Sequence, residues 1–242
     1  MNLAELNKVA EAMVAPGRGI LAADESSGTI KKRFDGIGVE NTEDNRRDYR
    51  EMMFRTGEAM SKHISGVILY DETIRQKAKD GTPLVKIIEQ AGALPGIKVD
   101  KGTKPLPFCP GEVITEGLDG LGERLDEYYK LGARFAKWRA VIDIDNGKGV
   151  PSANSINSNT HALARYAALC QEAGIVPIVE PEVLMDGAHD IGTCYEVSKA
   201  TLIKLYDELH AARVVLEGTI LKPNMVLSGY SCSQQGSVRA PR

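Results

Sequence analysis

The sequence has few cysteines, and their positions do not suit cross-linking. They are Cys109, Cys170, Cys194 and Cys232, and no two of them form a C-x-x-C pair. Four cysteines at these distances are too few for a disulfide framework and have the wrong spacing for a structural zinc site. We therefore expect a protein of a reducing compartment.

The sequence also lacks a large excess of one charge, and it has no long apolar run. Thirty basic residues against thirty-three acidic ones leave a formal net charge of -3, which excludes a global field that would attract nucleic acid or an anionic membrane. No apolar run approaches the roughly 18 residues of a membrane-spanning helix, and the first residues lack the basic and apolar regions of a signal peptide. We expect a soluble cytoplasmic protein with no nucleic-acid or membrane partner.

The overall composition is typical of a globular protein. Of the side chains 43% are hydrophobic and 26% charged, which suffices for a sizeable core. Amphipathic stretches of helical period, such as residues 41–63 and 158–173, alternate with six short apolar segments. This alternation predicts a parallel α/β sheet, with strands at residues 19–23, 66–70, 96–99, 135–142, 175–179 and 219–221.

Two parallel architectures compete, a (β/α)8 barrel and an open doubly wound sheet. Gly17, Gly19 and Ala22 match a dinucleotide-binding pattern. They precede or lie inside the first strand instead of following it, so we attribute the match to chance. A barrel builds its site at the carboxyl ends of its strands, and that is where the following charged residues fall: Asp24, Glu25, Asp71, Glu72, Asp100, Lys101, Glu180, Glu182 and Lys222.

The position of the last predicted strand limits the barrel. Only 20 of the 242 residues follow Lys222, and two further βα units need several times that length. We expect an incomplete (β/α)8 fold of the TIM-barrel type, with about six of eight βα units, in a domain of residues 1–229. Residues 228–242 are rich in Ser and Gly and have no apolar periodicity, which predicts a divergent flexible tail over residues 230–242.

Lys222 is the most suggestive single residue. An apolar strand delivers its amine to the carboxyl end, and Pro223 prevents the strand from continuing as an ordinary ladder. A lysine in such a place attacks a carbonyl as a Schiff-base nucleophile once desolvation or a neighbouring cation has removed its proton. The alternative is a lysine that extends from a strand end into solvent.

Neighbouring strands supply further charges. Lys137 and Arg139 share one face of a buried strand, and they need anions there, either protein carboxylates or substrate phosphates. Glu180 and Glu182 share a face of the next strand, and carboxylates beside a lysine support proton transfer around a Schiff base. With Asp24, these residues form a combination that a solvated charged rim explains less well than it explains each residue alone.

The histidines give no support to a metal mechanism. They stand at 63, 161, 189 and 210, without H-x-H or H-E-x-x-H spacing, so a zinc-dependent route has no evident ligands. We expect them to be surface or core residues, and we expect no metal site.

Five segments with matching order and spacing resemble a known family. In them, and up to about residue 229, the chain resembles class I fructose-bisphosphate aldolase, the metal-independent Schiff-base enzyme of glycolysis. The segments are residues 19–34 (GILAADESSGTIKKRF), 98–106 (KVDKGTKPL), 135–141 (FAKWRAV), 177–184 (PIVEPEVL) and 218–226 (GTILKPNMV).

The resemblance implies catalytic roles for five residues. Lys222 corresponds to the Schiff-base lysine, and Glu180 to the acid/base residue of carbinolamine dehydration and proton transfer. Asp24 corresponds to the carboxylate near the C4 hydroxyl of the ketose. Lys137 and Glu182 would lie beside the nucleophile.

The resemblance also implies a phosphate-binding set. Lys101 and Arg139, together with Ser26 and Arg33, would face the distal phosphate of the sugar. Thr29 stands where the family has a serine and keeps the hydroxyl. The groups for the other phosphate belong to later segments that this chain does not contain.

The implied activity is that of a lyase: reversible cleavage of fructose 1,6-bisphosphate to dihydroxyacetone phosphate and glyceraldehyde 3-phosphate. Its partner would be a small-molecule sugar phosphate, with no cofactor, and the family is typically homotetrameric. One alternative is a catalytically inactive truncated fragment that at most binds a partner. Another is a different Schiff-base barrel enzyme, such as a transaldolase or a deoxyribose-phosphate aldolase. Because later strands are missing, we expect little aldolase activity from the chain alone.

Overall fold

The computed structural model describes residues 2–236 as alternating helices and strands. The α-helices are α1 (Leu3–Met13), α2 (Ser27–Asp35), α3 (Glu43–Phe54), α4 (Gly57–His63), α5 (Asp71–Arg75), α6 (Leu84–Gln90), α7 (Leu121–Lys130), α8 (Ala153–Glu172) and α9 (Ile191–Ala211). The strands are β1 (Gly19–Ala23), β2 (Ile64–Leu69), β3 (Leu94–Lys98), β4 (Thr103–Pro105), β5 (Val113–Thr115), β6 (Phe135–Ile142), β7 (Val176–Val183) and β8 (Ile220–Leu221).

Six of these strands form one parallel sheet in the order β1-β2-β3-β6-β7-β8, so β1 and β8 are its outermost strands. The remaining two, β4 and β5, pair with each other as an antiparallel hairpin. Every predicted strand is present, β1 and β6 with the predicted bounds and the others with shifted ends. The expected parallel α/β class is confirmed.

Two predicted helices have different bounds in the structure. Residues 41–63 form α3 and α4, because the chain leaves the helix at Arg55 and the Thr56 hydroxyl donates to the Met53 carbonyl at 2.6 Å. Helix α8 begins five residues before the predicted start at 158. The Ser152 hydroxyl accepts a hydrogen bond from the Ser155 amide at 3.1 Å and caps this earlier start.

The chain divides into two compact units. The first comprises Met1–Val99, Gly122–Lys137 and Cys170–Pro177, and the second comprises Asp100–Leu121, Trp138–Leu169 and Ile178–Arg242. Strands β6 and β7 contribute residues to both units.

In the first unit, two glycines make room for an aromatic ring between neighbouring strands. A Cβ added at Gly96 of β3 would lie 2.2 Å from Cε2 of Phe135, and one added at Gly66 of β2 would lie 2.8 Å from its Cε1. Phe135 is fully buried at the start of β6. The absence of side chains at these strand positions therefore lets the ring pack directly on the backbone.

In the second unit, Trp138 of β6 packs on Tyr166 of α8 with ring centroids 5.5 Å apart. The Tyr166 hydroxyl donates to the Ile178 carbonyl of β7 at 3.2 Å. These contacts hold α8 against β6 and β7, the strands that carry Arg139, Glu180 and Glu182. A second buried cluster consists of Ile142, Ile144, Val183 and Cys194.

The segment after β8 is hydrogen bonded to the loop before α9. Amides of Gly229, Tyr230 and Ser231 donate to the carbonyls of His189, Met185 and Gly187 at 2.8–2.9 Å. Residues 237–242 of the predicted tail lie outside the described residues. Between residues 2 and 236 no helix has both the length and the apolar character that crossing a bilayer requires.

The close contact at Phe135 generates a stability prediction. Gly96→Ala should lower the free energy of unfolding by about 1–3 kcal/mol, because the ring or the backbone must shift to admit a methyl group. Denaturant titration followed by circular dichroism measures this change. Gly122→Ala on α7 is the control, since nothing lies within 4 Å of its added Cβ. Equal midpoints for the two variants would contradict the packing argument.

Candidate active site

In the first unit, a buried ion pair joins the end of β1 to β6. Asp24 directly follows β1, and its Oδ2 lies 2.7 Å from Nζ of Lys137, the third residue of β6. The two side chains are only 11% and 9% exposed. A carboxylate and an ammonium this close and this dry form a charge-assisted hydrogen bond, which holds both groups at fixed positions.

The strand register brings a second lysine beside this pair. Lys98 of β3 is the direct partner of Lys137 in the β3–β6 ladder. Partners in a parallel ladder project from the same face of the sheet. The sequence analysis missed Lys98, although it opens the quoted segment KVDKGTKPL. The available signal was its position at the carboxyl end of a predicted strand, next to the strand of Lys137.

Helix α2 and its N-cap residue hold three of the predicted phosphate-binding residues. Ser26 is the N-cap residue, but its hydroxyl lies 3.1 Å from the Thr29 hydroxyl and makes no capping hydrogen bond. The first backbone amides of α2 therefore keep their positive ends directed toward the loop. Arg33 lies in the last turn of the same helix, and its guanidinium forms an ion pair with Glu25, which precedes Ser26. Two hydroxyls, helix amides without a side-chain cap and a guanidinium are suitable groups for a phosphate.

In the second unit, the β7–β8 register places the predicted nucleophile against a carboxylate. Ile178 pairs with Ile220 and Val179 with Leu221, and the Lys222 amide donates to the Val179 carbonyl at 3.0 Å. Continuing this register by one residue brings Glu180 opposite Lys222.

The contact between the two side chains is direct. Lys222 Nζ donates to Glu180 Oε1. The Glu180 side chain is 6% exposed and that of Lys222 48%. The amine is therefore reachable from solvent, while its carboxylate partner is enclosed by protein. This arrangement lets a proton pass between an accessible nucleophile and a fixed acid/base group.

A second ion pair lies two residues further along β7. Arg139 Nε donates to Glu182 Oε2, and both side chains are partly exposed. The Arg139 amide also donates to Asp100 Oδ2 at 3.4 Å, while Asp100 Oδ1 accepts from the Gly102 amide at 3.1 Å. Asp100 thus links the backbone of β6 to the turn that contains Lys101.

Lys101 itself lies in different surroundings from Arg139. Its side chain is exposed and lines a cavity of about 770 Å³, together with Lys104, His161 and Arg165 among other residues. Arg139 is not one of the residues that line this cavity. The predicted pair Lys101 and Arg139 is therefore not brought together there.

The ten predicted residues divide equally between the two units. Asp24, Ser26, Thr29, Arg33 and Lys137 belong to the first, and Lys101, Arg139, Glu180, Glu182 and Lys222 to the second. Within the part of the chain that the structure describes, no group of three or more His, Cys, Asp or Glu side chains is placed to hold a metal ion.

The buried Asp24–Lys137 pair generates the next prediction. Asp24→Ala should lower the free energy of unfolding by about 3 kcal/mol, because Lys137 keeps its charge in a dry site with one carboxylate fewer. Adding Lys137→Met should recover part of that loss, since the buried charge is then gone. Equilibrium denaturation of both single variants and the double variant measures the coupling.

The exposed Lys31–Asp35 pair of α2 provides the control. Asp35→Ala should change stability by less than about 0.5 kcal/mol, since both side chains are more than half exposed. Strictly additive effects of Asp24→Ala and Lys137→Met would show that the two side chains do not stabilise each other.

Three comparisons with known proteins bear on this geometry. The family model described as Fructose-bisphosphate aldolase class-I matches residues 5–240. A probable fructose-bisphosphate aldolase class 1 of Xanthomonas campestris is 62% identical over 238 residues, which are 98% of this chain and 70% of the relative. Fructose-bisphosphate aldolase 1 of Toxoplasma gondii is 54% identical, over 96% of this chain and 64% of its own length.

A solved structure is also similar. It is fructose-bisphosphate aldolase from Plasmodium falciparum, in complex with TRAP and a small-molecule inhibitor, and it superposes with a TM-score of 0.95 at 49% sequence identity. The match covers 97% of this chain and 67% of the other. This chain carries six parallel strands of that barrel-type fold.

Proposed function

The chain belongs to the class I fructose-bisphosphate aldolase family, and from that premise we propose that it cleaves fructose 1,6-bisphosphate through a Schiff base on Lys222. The products are dihydroxyacetone phosphate and glyceraldehyde 3-phosphate, and the reaction is reversible. The observation that supports this most strongly is the contact of the accessible Lys222 amine with the enclosed Glu180 carboxylate. The family match favours a lyase over the alternative of an inactive binding fragment. The low activity expected of the chain alone stays a prediction.

Glu180 moves the protons of Schiff-base formation. The unprotonated Lys222 amine attacks the C2 carbonyl carbon, and the carbonyl oxygen takes a proton to give a carbinolamine. Glu180, when protonated, donates to that hydroxyl, which leaves as water while the C2–N double bond of the iminium forms. The carboxylate returns as a base in the reverse step, since the same group serves both directions.

Asp24 serves the bond cleavage. Its carboxylate removes the proton of the C4 hydroxyl, the C4–O bond becomes a carbonyl, and the C3–C4 bonding electrons move toward the iminium at C2. The ammonium of Lys137, at 2.7 Å, fixes the position of the Asp24 carboxylate. Glu182, in contact with Arg139, is a further residue of this proposed machinery.

The distal phosphate binds at the amino end of α2. Ser26 and Thr29 supply hydroxyl donors there, and the helix amides add the positive end of the backbone dipole. The guanidinium of Arg33, paired with Glu25 before Ser26, adds a further donor. Lys101 and Arg139 stay predictions for the same phosphate, because their roles follow from the resemblance alone.

The remaining proposals concern the cofactor requirement, the cellular location and the oligomeric state. The amine and carboxylates supply the covalent and proton-transfer chemistry, so we propose a metal-independent reaction without a cofactor. The four cysteines are free thiols, which supports a cytoplasmic location. A homotetramer, as is typical of the family, is the assembly we propose.

Trapping of the Schiff base tests the proposed function. Borohydride reduction of the chain with dihydroxyacetone phosphate should attach substrate mass to the peptide that contains Lys222. Lys222→Arg should abolish this labelling, because a guanidinium does not form an iminium under these conditions. Lys204→Arg, on α9, is a matched control and should label normally. Full labelling of the Lys222→Arg variant would overturn the assignment.

Substitution of the carboxylate tests its catalytic role separately. Glu180→Gln should lower kcat for fructose 1,6-bisphosphate by about 10²–10⁴-fold, the usual contribution of a positioned acid/base group. KM should change little, since Glu180 contacts the lysine and not a phosphate in this proposal. A coupled cleavage assay gives both constants. A kcat within about threefold of the unmodified chain would contradict an acid/base role.

A further inference from the structure

A buried arginine behind the β1–α2 loop has no part in the chemistry described so far. Arg50 extends from α3, and its side chain is 0% exposed. Burial lowers its pKa from the usual value, since desolvation opposes the charged form. A buried guanidinium is costly unless nearby carboxylates and hydrogen bonds compensate it. The groups that contact Arg50 therefore have to compensate its charge.

Arg50 contacts the β1–α2 loop, which consists of residues 24–26. Arg50 Nη2 donates to the backbone carbonyl of Glu25 at 2.7 Å. The carboxylates of Glu25 and Glu72 each lie 3.8 Å from the guanidinium. Glu72 is itself held by Arg46 through two hydrogen bonds of 2.6 and 2.8 Å. Arg50 thus fixes the peptide of Glu25, which lies between Asp24 and Ser26.

The compensation of Arg50 is incomplete. Within residues 2–236, its Nε and Nη1 and the Glu25 Oε2 have no hydrogen-bond partner. Buried donors and acceptors without partners are uncommon and cost stability. A site that serves stability alone would be better filled by apolar side chains. This cost is consistent with a role in placing the loop.

Glu25 passes this constraint on to Arg33. Its Oε1 accepts from Arg33 Nη1. The Glu25 side chain is 6% exposed, whereas that of Arg33 is 59% exposed. A long exposed side chain samples many rotamers, and one fixed carboxylate at its end removes much of that freedom. Arg33 is therefore held in place before any ligand arrives.

We propose that Glu25 and Arg50 are positioning residues for recognition of the distal phosphate. Arg50 fixes the Glu25 peptide and carboxylate, Glu25 orients the Arg33 guanidinium, and the same peptide sets Ser26 at the amino end of α2. The inference rests on the proposed function, because it takes Arg33 to be a phosphate ligand. It predicts that Glu25 acts on affinity only through Arg33.

A double-mutant cycle tests this dependence. The probe is hexitol 1,6-bisphosphate, which has both phosphates and no carbonyl, and calorimetry gives its Kd with the full chain. Arg33→Ala and Glu25→Gln should each weaken binding, by about tenfold and about fivefold. The double variant should bind no more weakly than Arg33→Ala. Arg50→Lys keeps the buried charge but not the planar fork, and should weaken binding about threefold.

Controls separate positioning from stability and from general loss of charge. Ile30→Val removes a buried methyl group from the same helix, and Asp35→Asn removes an exposed carboxylate from it. Both should leave Kd within twofold. Borohydride trapping of dihydroxyacetone phosphate, which lacks the distal phosphate, should be unchanged in Glu25→Gln.

The outcomes distinguish this inference from the proposed function. If the unmodified chain fails to trap dihydroxyacetone phosphate, the proposed function is wrong, and this inference fails with it. If trapping succeeds but the double variant shows the product of the two single effects, Glu25 does not act through Arg33 and the inference alone is wrong. The same conclusion follows if Glu25→Gln binds as tightly as Asp35→Asn, or if it loses trapping.

Discussion

The register of the parallel strands is the constraint that decides which charged side chains of neighbouring strands face each other. In the β7–β8 ladder it sets Glu180 against Lys222, and in the β3–β6 ladder it sets Lys98 beside Lys137. Side chains alternate between the faces of a strand, so a shift of one residue would turn each of these groups to the other face. The apolar contacts that fix the strands therefore also fix the positions of these charged groups.

Electrostatics explains why these groups occur in pairs. Lys137 and Glu180 are almost completely buried, and an isolated charge in either place would cost several kcal/mol. Asp24 compensates Lys137, and Lys222 compensates Glu180. Each pair holds an acid or base at a defined position, as a proton-transferring site requires. In the loop before α2, the buried Arg50 likewise has a carboxylate beside it, that of Glu25, and it also holds the Glu25 peptide through a hydrogen bond.

Much of the fold and part of the site could be predicted from the sequence, because apolar segments mark strands and charged residues at their ends mark a functional edge. β1 and β6 have the predicted bounds. The helix break at Arg55 was missed because it results from a local hydrogen bond of Thr56 and not from a proline. The β4–β5 hairpin was missed because each strand has three residues and no clear alternation. Lys98 was missed although it lies at the carboxyl end of a predicted strand, whereas Arg50 was missed because its burial and its contacts with the loop before α2 leave no local pattern in the sequence.

The most direct test of the account is a crystal structure of the chain after reaction with dihydroxyacetone phosphate. If Lys222 forms the Schiff base, the electron density should be continuous from Lys222 Nζ to C2 of the ligand. A Glu180 oxygen should lie within hydrogen-bond distance of that nitrogen or of the C2 oxygen. A covalent bond to Lys98 or Lys137 instead, with Lys222 unmodified, would contradict it.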